Sequence, residues 1–428
     1  MIPLQIKHQN RYAHLATVFL GVYYLWFFLP FMRTTYGGIY KYFFFLFFLI
    51  GVVLLILENV NVYGFQIKIR HTIIAPILIY MAFMVFFCLF DFCDARDHVR
   101  VSFTFWGTAL VYYLMGINPN VRRRFAQFLI VIAIFTTITS IIVIWENPGA
   151  ARALANAIVT KENLAEDYDL GRKNVSSIYL FQGIAVMSPV FASLIKKKHI
   201  LWGILGLVLS FLIILRASFL IALCVMLLGV ALTFVQNEKK SPIFSVVIAM
   251  LMIVMFFLPW SEILSFLAGV IDNDTISTRL NELSLMFEFG NVVGHTAGRL
   301  DTYTRSISTL LQHPLGVGPY YFSQEAREII GRHSQILDDL ARYGVAAFAF
   351  YCIFIKRYYI LLKEKWCKVG MESVAASITI AYVALLLLNI GFRSAEESVI
   401  MLFILPELPE IVLYQKGKKH RLRGNYAG

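Results

Sequence analysis

The sequence predicts an all-α polytopic integral membrane protein with about twelve transmembrane helices and a large helical extracytoplasmic loop. Three observations predict this class. Hydrophobic residues make up 59% of the 428-residue chain and charged residues only 15%, and apolar stretches long enough to cross a bilayer recur along it. The whole chain, 1–428, is therefore expected to form a single transmembrane domain.

The predicted membrane spans follow from length and hydropathy. About 20 apolar residues cross a bilayer as a helix. The first stretch has no small-residue cleavage site after it, so we expect an anchor and not a removable signal. The spans are residues 13–32, 39–57, 71–90, 101–117, 125–145, 176–195, 199–215, 218–236, 242–260, 344–362, 373–391 and 398–415.

The basic residues indicate the orientation, because Lys and Arg are enriched in cytoplasmic loops. With the N-terminus inside, 22 of the 38 Lys and Arg residues fall in inner segments. We therefore expect both termini in the cytoplasm. This orientation accounts for the net charge of +12, and no nucleic-acid partner is expected. The short outer segments hold only six basic residues, namely Arg33, Lys41, Arg96, Arg100, Arg216 and Arg393.

Two predicted outer loops are large, 146–175 and 261–343, whereas every inner loop is short. No cytoplasmic domain is left to bind a nucleotide, and the sequence has no G-x-x-x-x-G-K-[ST] phosphate loop. A substrate used on the outer side must then arrive already activated. The five cysteines are scattered without metal-ligand spacing, so neither a metal nor a cofactor is expected.

The long outer loop 261–343 uses arginine as its only basic residue apart from histidine. It contains six arginines, three histidines, ten acids and no lysine. The planar guanidinium binds phosphate through two parallel hydrogen bonds and stays charged at physiological pH. This composition favours recognition of a phosphate group, although chance usage also gives such a skew.

Three short patterns stand out. In the long loop, a helical run from Leu300 to Gln312 precedes the turn 313–319, where Pro and Gly fix an irregular backbone. His333 comes just before an amphipathic run with apolar residues at helical spacing. Arg216 lies between the seventh and eighth spans, where a charge usually faces a partner or a cavity.

These patterns resemble the O-antigen ligase and polymerase family. His333-Ser334, nine residues and then Gly344 fit the His-[Asn/Ser/Gln]-x9-Gly signature of that family. The segment GRLDTYTRSISTLLQHPLGVGP is similar to its Arg-containing helix and Pro-x-Gly-x-Gly turn. LRASF around Arg216 resembles its membrane-edge arginine, with Leu215 where Ser is usual. The similarity covers about 200–344.

The resemblance implies a membrane-embedded, metal-independent, inverting glycosyltransferase in the bacterial cytoplasmic (inner) membrane. Its donor is an undecaprenyl-diphosphate-linked glycan, and its active site is extracytoplasmic. The acceptor hydroxyl attacks the anomeric carbon, and undecaprenyl diphosphate leaves. The lipid bilayer is a further partner, and a flippase and a chain-length regulator of the same pathway are expected partners.

On this resemblance His333, Arg299 and Arg216 are the predicted catalytic residues. Histidine titrates near neutral pH, so His333 can orient or deprotonate the acceptor. The two arginines can stabilise the charge on the leaving diphosphate. The alternatives are that His333 caps a loop helix, that Arg216 reaches toward lipid headgroups, and that Arg299 pairs with Asp301 or Glu288.

The predicted substrate-binding residues are Arg305, Arg172, Gly316 and Gly318. Arg305 and Gly316 resemble an Arg-x10-Gly pattern of polymerase loops, and Arg172 with Gly183 repeats the spacing. Chance alone readily gives such pairs. Two acidic groups stay open: Asp338-Asp339 would suit a metal only with further ligands, and Arg393 with Glu396 and Glu397 would form either a cavity lining or an ion pair.

The leading functional hypothesis is a polymerase of O-antigen or capsular repeat units. The two large outer loops resemble the layout of repeat-unit polymerases, as does the high usage of Phe, Ile, Lys and Tyr. The alternative is an O-antigen ligase that transfers polymer to lipid A-core. A transporter or flippase is disfavoured, because transporters usually carry paired polar residues within their helices, and the first five spans are almost free of charge.

Overall fold

The computed structural model describes residues 11–63, 73–87, 89, 92–147, 150, 170–175, 178–217, 219–236, 260–270, 277–278, 280–282, 284–285, 294–319, 328–392 and 394–411. Within these ranges every regular element is a helix and no strand occurs, which confirms the all-α prediction there.

The helices follow one another with short connections in the described part of the chain. A 3-10 turn, Met115–Ile117, follows the helix that ends at Leu114. A π-helix, Ile400–Ile404, follows the helix that ends at Val399 and continues as helix through 411. The α-helices are α1 Arg11–Phe28, α2 Pro30–Thr35, α3 Tyr40–Tyr63, α4 Ile74–Phe87, α5 Phe92–Leu114, α6 Pro119–Glu146, α7 Ile178–Lys196, α8 Ile200–Arg216, α9 Leu220–Val235, α10 Trp260–Val270, α11 Gly294–Gln312, α12 Gln335–Cys367, α13 Glu372–Leu388 and α14 Ala395–Val399.

A helix lies at each predicted span except the ninth, whose residues 242–259 fall outside the described ranges. Among the described residues, four helices are long and apolar enough to cross a membrane, and α4, α8, α9, α10 and α13 contribute shorter apolar segments. The count of twelve stays a prediction. The four long segments are Tyr40–Val62, Pro119–Glu146, Tyr179–Lys196 and Gln335–Cys367.

Two helices begin before the membrane spans that the sequence predicts on them. Helix α5 begins at Phe92, so Arg96 and Arg100, which precede the span predicted from residue 101, lie on the helix. Helix α12 begins at Gln335, and its first turns are the amphipathic run predicted ahead of the span at 344. Charged residues lower hydropathy without preventing helix formation, so the helices extend beyond the apolar spans.

The packing of α11, α12 and α13 positions the site. Helix α12 packs against α13 along its length, and α11 packs against the first part of α12. Beneath them, α5 and α14 contact each other, and α7 packs on α8, α9 and α13. Aromatic side chains from these helices fill the core, with Phe105 and Phe392 stacked 3.9 Å apart between ring centroids.

Ion pairs link chain segments that are far apart in sequence. The carboxylate of Glu407 is buried and lies 2.9 Å from Arg122 Nε and 3.2 Å from Lys365 Nζ. Two cations offset the cost of burying this one acid. Separately, Glu396 lies 3.5 Å from Arg33 Nη1. Arg122 and Lys365 both belong to predicted inner segments, whereas Arg33 belongs to a predicted outer one.

Candidate active site around His333 and Arg299

A kink in α12 at Gly344 is the organising feature of the site. Gly344 has φ 52° and ψ −129°, which breaks the regular helix. The break frees the backbone carbonyls of Ala341 and Arg342 from their usual partners one turn later. The turn 313–319 replaces those partners: Val317 N donates to Ala341 O at 3.1 Å and Gly318 N donates to Arg342 O at 2.9 Å.

The same turn also satisfies the opposite side of the kink, since Val345 N donates to Pro314 O at 3.1 Å. Three backbone hydrogen bonds thus hold the turn on the helix. The glycines are needed for this approach. Gly316 has φ 90°, and a Cβ there would fall on the Arg342 carbonyl. A Cβ at Gly344 would fall on the Pro314 carbonyl.

The amides of Gly316 and Gly318 are therefore occupied within the protein, because Gly316 N donates to His313 O at 2.8 Å. The geometry gives both glycines a structural role. Their predicted contribution to substrate binding would come from the shape of the turn and not from these amides. The irregular backbone predicted at 313–319 is confirmed.

Asp338 holds the segment that precedes α12. Its Oδ1 accepts a hydrogen bond from the Ser306 hydroxyl at 2.7 Å, and its Oδ2 accepts one from Ser334 N at 3.2 Å. The Ser306 hydroxyl also accepts from Gly331 N at 2.9 Å. Because Ser306 belongs to α11, this buried carboxylate ties α11 to the turn at 331–334. Sequence reasoning considered Asp338 only as a metal ligand and missed this role.

His333 lies on that turn and is exposed to solvent. The residue before it, Arg332, has φ 62°, a left-handed conformation that is unusual for a residue with a side chain. The residue after it, Ser334, caps α12 by accepting from Leu337 N at 3.1 Å. The capping group is thus Ser334 and not His333, which leaves the imidazole facing outward on a constrained backbone.

Arg299 lies on α11, the helix that Asp338 ties to the His333 turn. Its side chain is half-buried, and its Nη1 is buried without a hydrogen-bond partner in the described ranges. The predicted alternative partner Asp301 forms its ion pair with Arg305 instead, and Glu288 lies outside the described residues. A buried guanidinium nitrogen without an acceptor is a candidate binding group for an anion.

Arg216 ends α8 and contacts a different part of the chain. Its Nη2 donates to the Trp145 carbonyl at 2.9 Å, and its guanidinium carbon lies 5.8 Å from the Trp145 ring centroid. Its Nε is buried and has no partner among the described residues. Trp145 thus holds this arginine at the end of α6.

Arg305 borders a polar groove of about 390 Å³ beside α11. Its charge is balanced by Asp301, one helical turn earlier. Four of the nine lining residues carry hydroxyl or amide groups. The lining comprises Thr304, Arg305, Ser308, Thr309, Gln312, His313, Val317, Glu328 and Ile329. The volume is in the range of small-molecule sites.

Arg172 is exposed on a short helical segment at 170–174. Gly183, its partner in the proposed Arg-x10-Gly repeat, lies inside α7 and packs against the side chain of Ile400. The structure thus joins His333, Arg299 and Arg305 through the α11–α12 contact, whereas Arg216 and Arg172 lie on other elements.

A buried polar network beneath the site was not found from the sequence. His98 on α5 has its Nδ1 2.7 Å from the Tyr343 hydroxyl and its Nε2 3.7 Å from Asp339. Asp339 also accepts from Arg342 Nη1 at 3.2 Å and from the Tyr351 hydroxyl at 2.7 Å. The available signal was one histidine in the charged stretch 91–100, just before a predicted span. A cavity of about 10 Å³, room for one water, touches this network and is lined by His98, Ser102, Ser334, Gln335, Asp338, Arg342 and Ile390.

Asp338, Asp339 and Glu396, whose roles the sequence leaves undecided, all have polar partners in the structure. Asp338 and Asp339 are engaged by hydroxyl, amide and guanidinium groups, and no cluster with metal-ligand character occurs in the described ranges. Arg393 lies outside those ranges. Glu396 pairs with Arg33 and also accepts a hydrogen bond from the Ser394 hydroxyl, and the predicted grouping with Arg393 stays a prediction.

The fold and the site together define a class: a helical integral membrane protein whose candidate site combines an exposed histidine with arginines on adjacent elements. A comparison with protein families matches residues 176–352 to the family described as O-antigen ligase. Residues 176–352 are therefore similar to the O-antigen ligase family, and this match supports the resemblance to the O-antigen ligase and polymerase family. The matched segment contains Arg216, Arg299, Arg305, His333 and Gly344. A search of curated proteins gave no match.

Proposed function

We propose that this protein is a polymerase that joins undecaprenyl-diphosphate-linked oligosaccharide repeat units into O-antigen or capsular polysaccharide. The reaction takes place at the outer face of the bacterial cytoplasmic membrane. The observation that carries the proposal is the family match over 176–352. It is supported by the packing of α11, which contains Arg299, against α12, which begins just after His333.

The proposed reaction is a metal-independent inverting glycosyl transfer. The acceptor hydroxyl oxygen forms a bond to the anomeric carbon from the face opposite the diphosphate. The bond from that carbon to the diphosphate oxygen breaks, and its electron pair leaves with undecaprenyl diphosphate. His333 accepts the hydroxyl proton, a role that suits an exposed imidazole on a constrained turn.

Arg299 and Arg216 stabilise the leaving diphosphate in this proposal. Each has a buried nitrogen without a partner among the described residues, so each has hydrogen-bonding capacity to give to a ligand. A cation about 4 Å from a phosphate charge contributes about 4 kcal/mol at an effective dielectric constant of about 20. The effect favours the transition state because negative charge grows on the leaving group.

The polar groove beside α11 is the proposed site for the acceptor glycan. Its hydroxyl and amide groups suit sugar hydroxyls, and the Arg305–Asp301 pair leaves little net charge on that edge. Gly316 and Gly318 shape the end of the groove through the turn that contains them. Arg172 is proposed to contact the lipid-linked donor from the other outer loop, and the support for this role is its sequence pattern alone.

The proposed orientation places both termini in the cytoplasm because basic residues are concentrated in the inner segments, and the ion pairs agree with the grouping of these segments. Basic residues of two predicted inner segments meet at Glu407, and a predicted outer arginine meets Glu396. In intact spheroplasts, an impermeant thiol reagent should label Gln312→Cys and not Lys197→Cys. Labelling of the second position and not the first would refute the orientation. A flippase and a chain-length regulator are the proposed protein partners.

The second candidate is an O-antigen ligase, favoured by the description of the matched family. The two functions differ in acceptor. A polymerase uses the lipid-linked repeat as both donor and acceptor, whereas a ligase needs lipid A-core. The high similarity of the two reactions means that the same His333 and Arg299 would serve either one.

Deletion of the gene separates the two candidates. If the protein is a polymerase, the deletion strain should carry single repeats on the lipid carrier or on core. If it is a ligase, long chains should accumulate on undecaprenyl diphosphate. Gel analysis of the surface glycans, with complementation by wild type and by His333→Ala, gives the result. Long carrier-linked polymer in the deletion strain would overturn the polymerase proposal.

A further inference from the structure

Helix α11 has an inverted distribution of polar and apolar side chains. Its buried face carries hydroxyl groups: Ser306 donates to Asp338 at 2.7 Å, and Thr309 donates to the Ile329 carbonyl at 2.6 Å. Three of its large apolar side chains are exposed. Leu300 is 51% exposed, Ile307 42% and Leu311 75%.

The exposed apolar residues form one stripe. Leu300, Ile307 and Leu311 are spaced by seven and four residues, which places them on one face of a helix. Leu315, in the turn after α11, extends the stripe and is 84% exposed. In water a helix buries its apolar face, so an outward apolar stripe over a hydroxyl-lined inner face indicates that something apolar covers it.

Helix α11 is attached at its middle and after its C-terminal end, in both cases where predicted membrane spans begin or end. The Tyr303 hydroxyl, at the middle of α11, donates to the Leu388 carbonyl at 2.7 Å, at the last residue of α13. The turn after α11 docks on α12 at Gly344 and Val345. Residues 344 and 388 lie at the predicted outer ends of the spans 344–362 and 373–391.

The exposed stripe is also continuous with the apolar surface of α12. Val345 and Phe348 are each 60% exposed on the part of α12 that crosses the predicted membrane. Leu315 lies beside Gly344, directly before this surface. The surroundings of α12 are predicted to be lipid acyl chains, and Leu315 brings the stripe on α11 next to that surface.

We propose that α11 is an interfacial helix whose Leu300, Ile307, Leu311 and Leu315 side chains lie among the acyl chains of the outer leaflet. The proposal rests on the outward orientation given under the proposed function. The acyl chains of the bilayer are the occupant because the stripe joins the lipid-facing surface of α12. The flank with Ser308 and Gln312, which lines the polar groove, faces water.

This placement has a consequence for the substrate. An interfacial α11 holds Arg299 at the depth of the lipid headgroups, which is where the diphosphate of a lipid-linked glycan lies. The glycan then extends from the headgroup level into the groove on the aqueous flank. The substrate can contact Arg299 and the groove at the same time while its lipid chain stays in the bilayer.

The test compares neighbouring positions on the two faces of α11. The full chain, with its five native cysteines replaced, is placed in nanodiscs of phosphatidylethanolamine and phosphatidylglycerol. Nitroxide labels are attached at Leu311→Cys or Ile307→Cys, with Gln312→Cys and Ser308→Cys as matched controls one residue away. Electron paramagnetic resonance then measures collision of each label with dissolved oxygen and with a water-soluble nickel chelate.

Oxygen collisions should dominate at 307 and 311, and chelate collisions should dominate at 308 and 312, because oxygen concentrates in acyl chains. Equal chelate access at 311 and 312 would overturn the proposal. Dipolar broadening between labels at 307 or 311 would also overturn it, by showing that a second copy covers the stripe. The labels report membrane contact without turnover, so the result is separate from the gene-deletion test of the proposed function.

Discussion

Two regions of the molecule share the spacing Arg-x10-Gly but use the glycine differently. In 305–316 the glycine has φ 90° and lies against the backbone of α12 at its kink. In 172–183 the glycine lies inside regular helix α7, where a Cβ would first meet the side chain of Ile400. The first spacing ends in a turn docked on a kinked helix, whereas the second ends at a close approach of Ile400 to α7.

The difference shows that an Arg-x10-Gly spacing indicates a function only when the contacts of both the arginine and the glycine are known. Around Arg305, the turn, the kink and the Asp338 hydrogen bonds fix several elements at once. Around Arg172, the arginine is exposed. We therefore expect changes in the first region to affect activity strongly and equivalent changes in the second to have small effects.

The largest effect is expected from His333→Ala. Loss of a general base typically lowers the rate by about 10²–10⁴-fold, so complementation of the deletion strain should fail while the protein still accumulates in the membrane. His199→Ala is the matched control, since His199 is also exposed and also precedes a helix. Wild-type polymer from His333→Ala would remove the proposed base from the site.

The next largest effect is expected from Arg299→Ala, with a loss of roughly 10²-fold or more in transfer rate, as for removal of one charge-stabilising donor. Arg299→Lys should recover little, because an ammonium lacks the bidentate fork. Arg172→Ala, the counterpart in the second region, should lose less activity than Arg299→Ala. The proposed donor contact of Arg172 is made from an exposed position, where an ion pair contributes about 0.2–1 kcal/mol. Assays with a lipid-diphosphate-linked repeat in membranes measure all three variants, and full activity of Arg299→Lys would indicate only a diffuse electrostatic role.

The two glycines give a direct test of the comparison. Gly316→Ala adds a left-handed strain of about 1–2 kcal/mol and a clash with backbone, so we expect a clear loss of thermal stability and of activity. In Gly183→Ala, the new methyl group would first meet the Cδ1 end of the Ile400 side chain, which can move. Overpacking there should cost about 1 kcal/mol. Thermal unfolding in detergent measures both. Equal losses would mean that the two glycines have the same role.

The smallest effect in the first region is expected from Asp338→Asn, which keeps the shape of the side chain but replaces one hydrogen-bond-accepting oxygen with an amide nitrogen. An unsatisfied buried donor costs about 1–3 kcal/mol, so the His333 turn should loosen and the apparent affinity for the acceptor should fall. Asp301→Asn is the control, because an exposed ion pair contributes about 0.2–1 kcal/mol. Steady-state assays over acceptor concentration give KM and kcat separately. An unchanged KM in Asp338→Asn would leave the carboxylate with a purely structural role.

The sequence by itself determined the elements that depend on local pattern. Apolar length predicted the helices at nearly every span, helical spacing predicted α11 and the first turns of α12, and Pro and Gly predicted the irregular turn at 313–319. The motif around His333 also indicated the family whose model matches residues 176–352. These features follow from residues close together in the chain, where periodicity and backbone preference act directly.

Only the tertiary structure decided how these elements meet. It joined the turn at 313–319 to the kink at Gly344, placed Asp338 between α11 and the His333 turn, and brought His98 from α5 beneath them. It also assigned Asp301 to Arg305 and Glu396 to Arg33. Such choices depend on contacts between residues separated by tens to hundreds of positions, and hydropathy and spacing carry no information about which distant polar groups become neighbours.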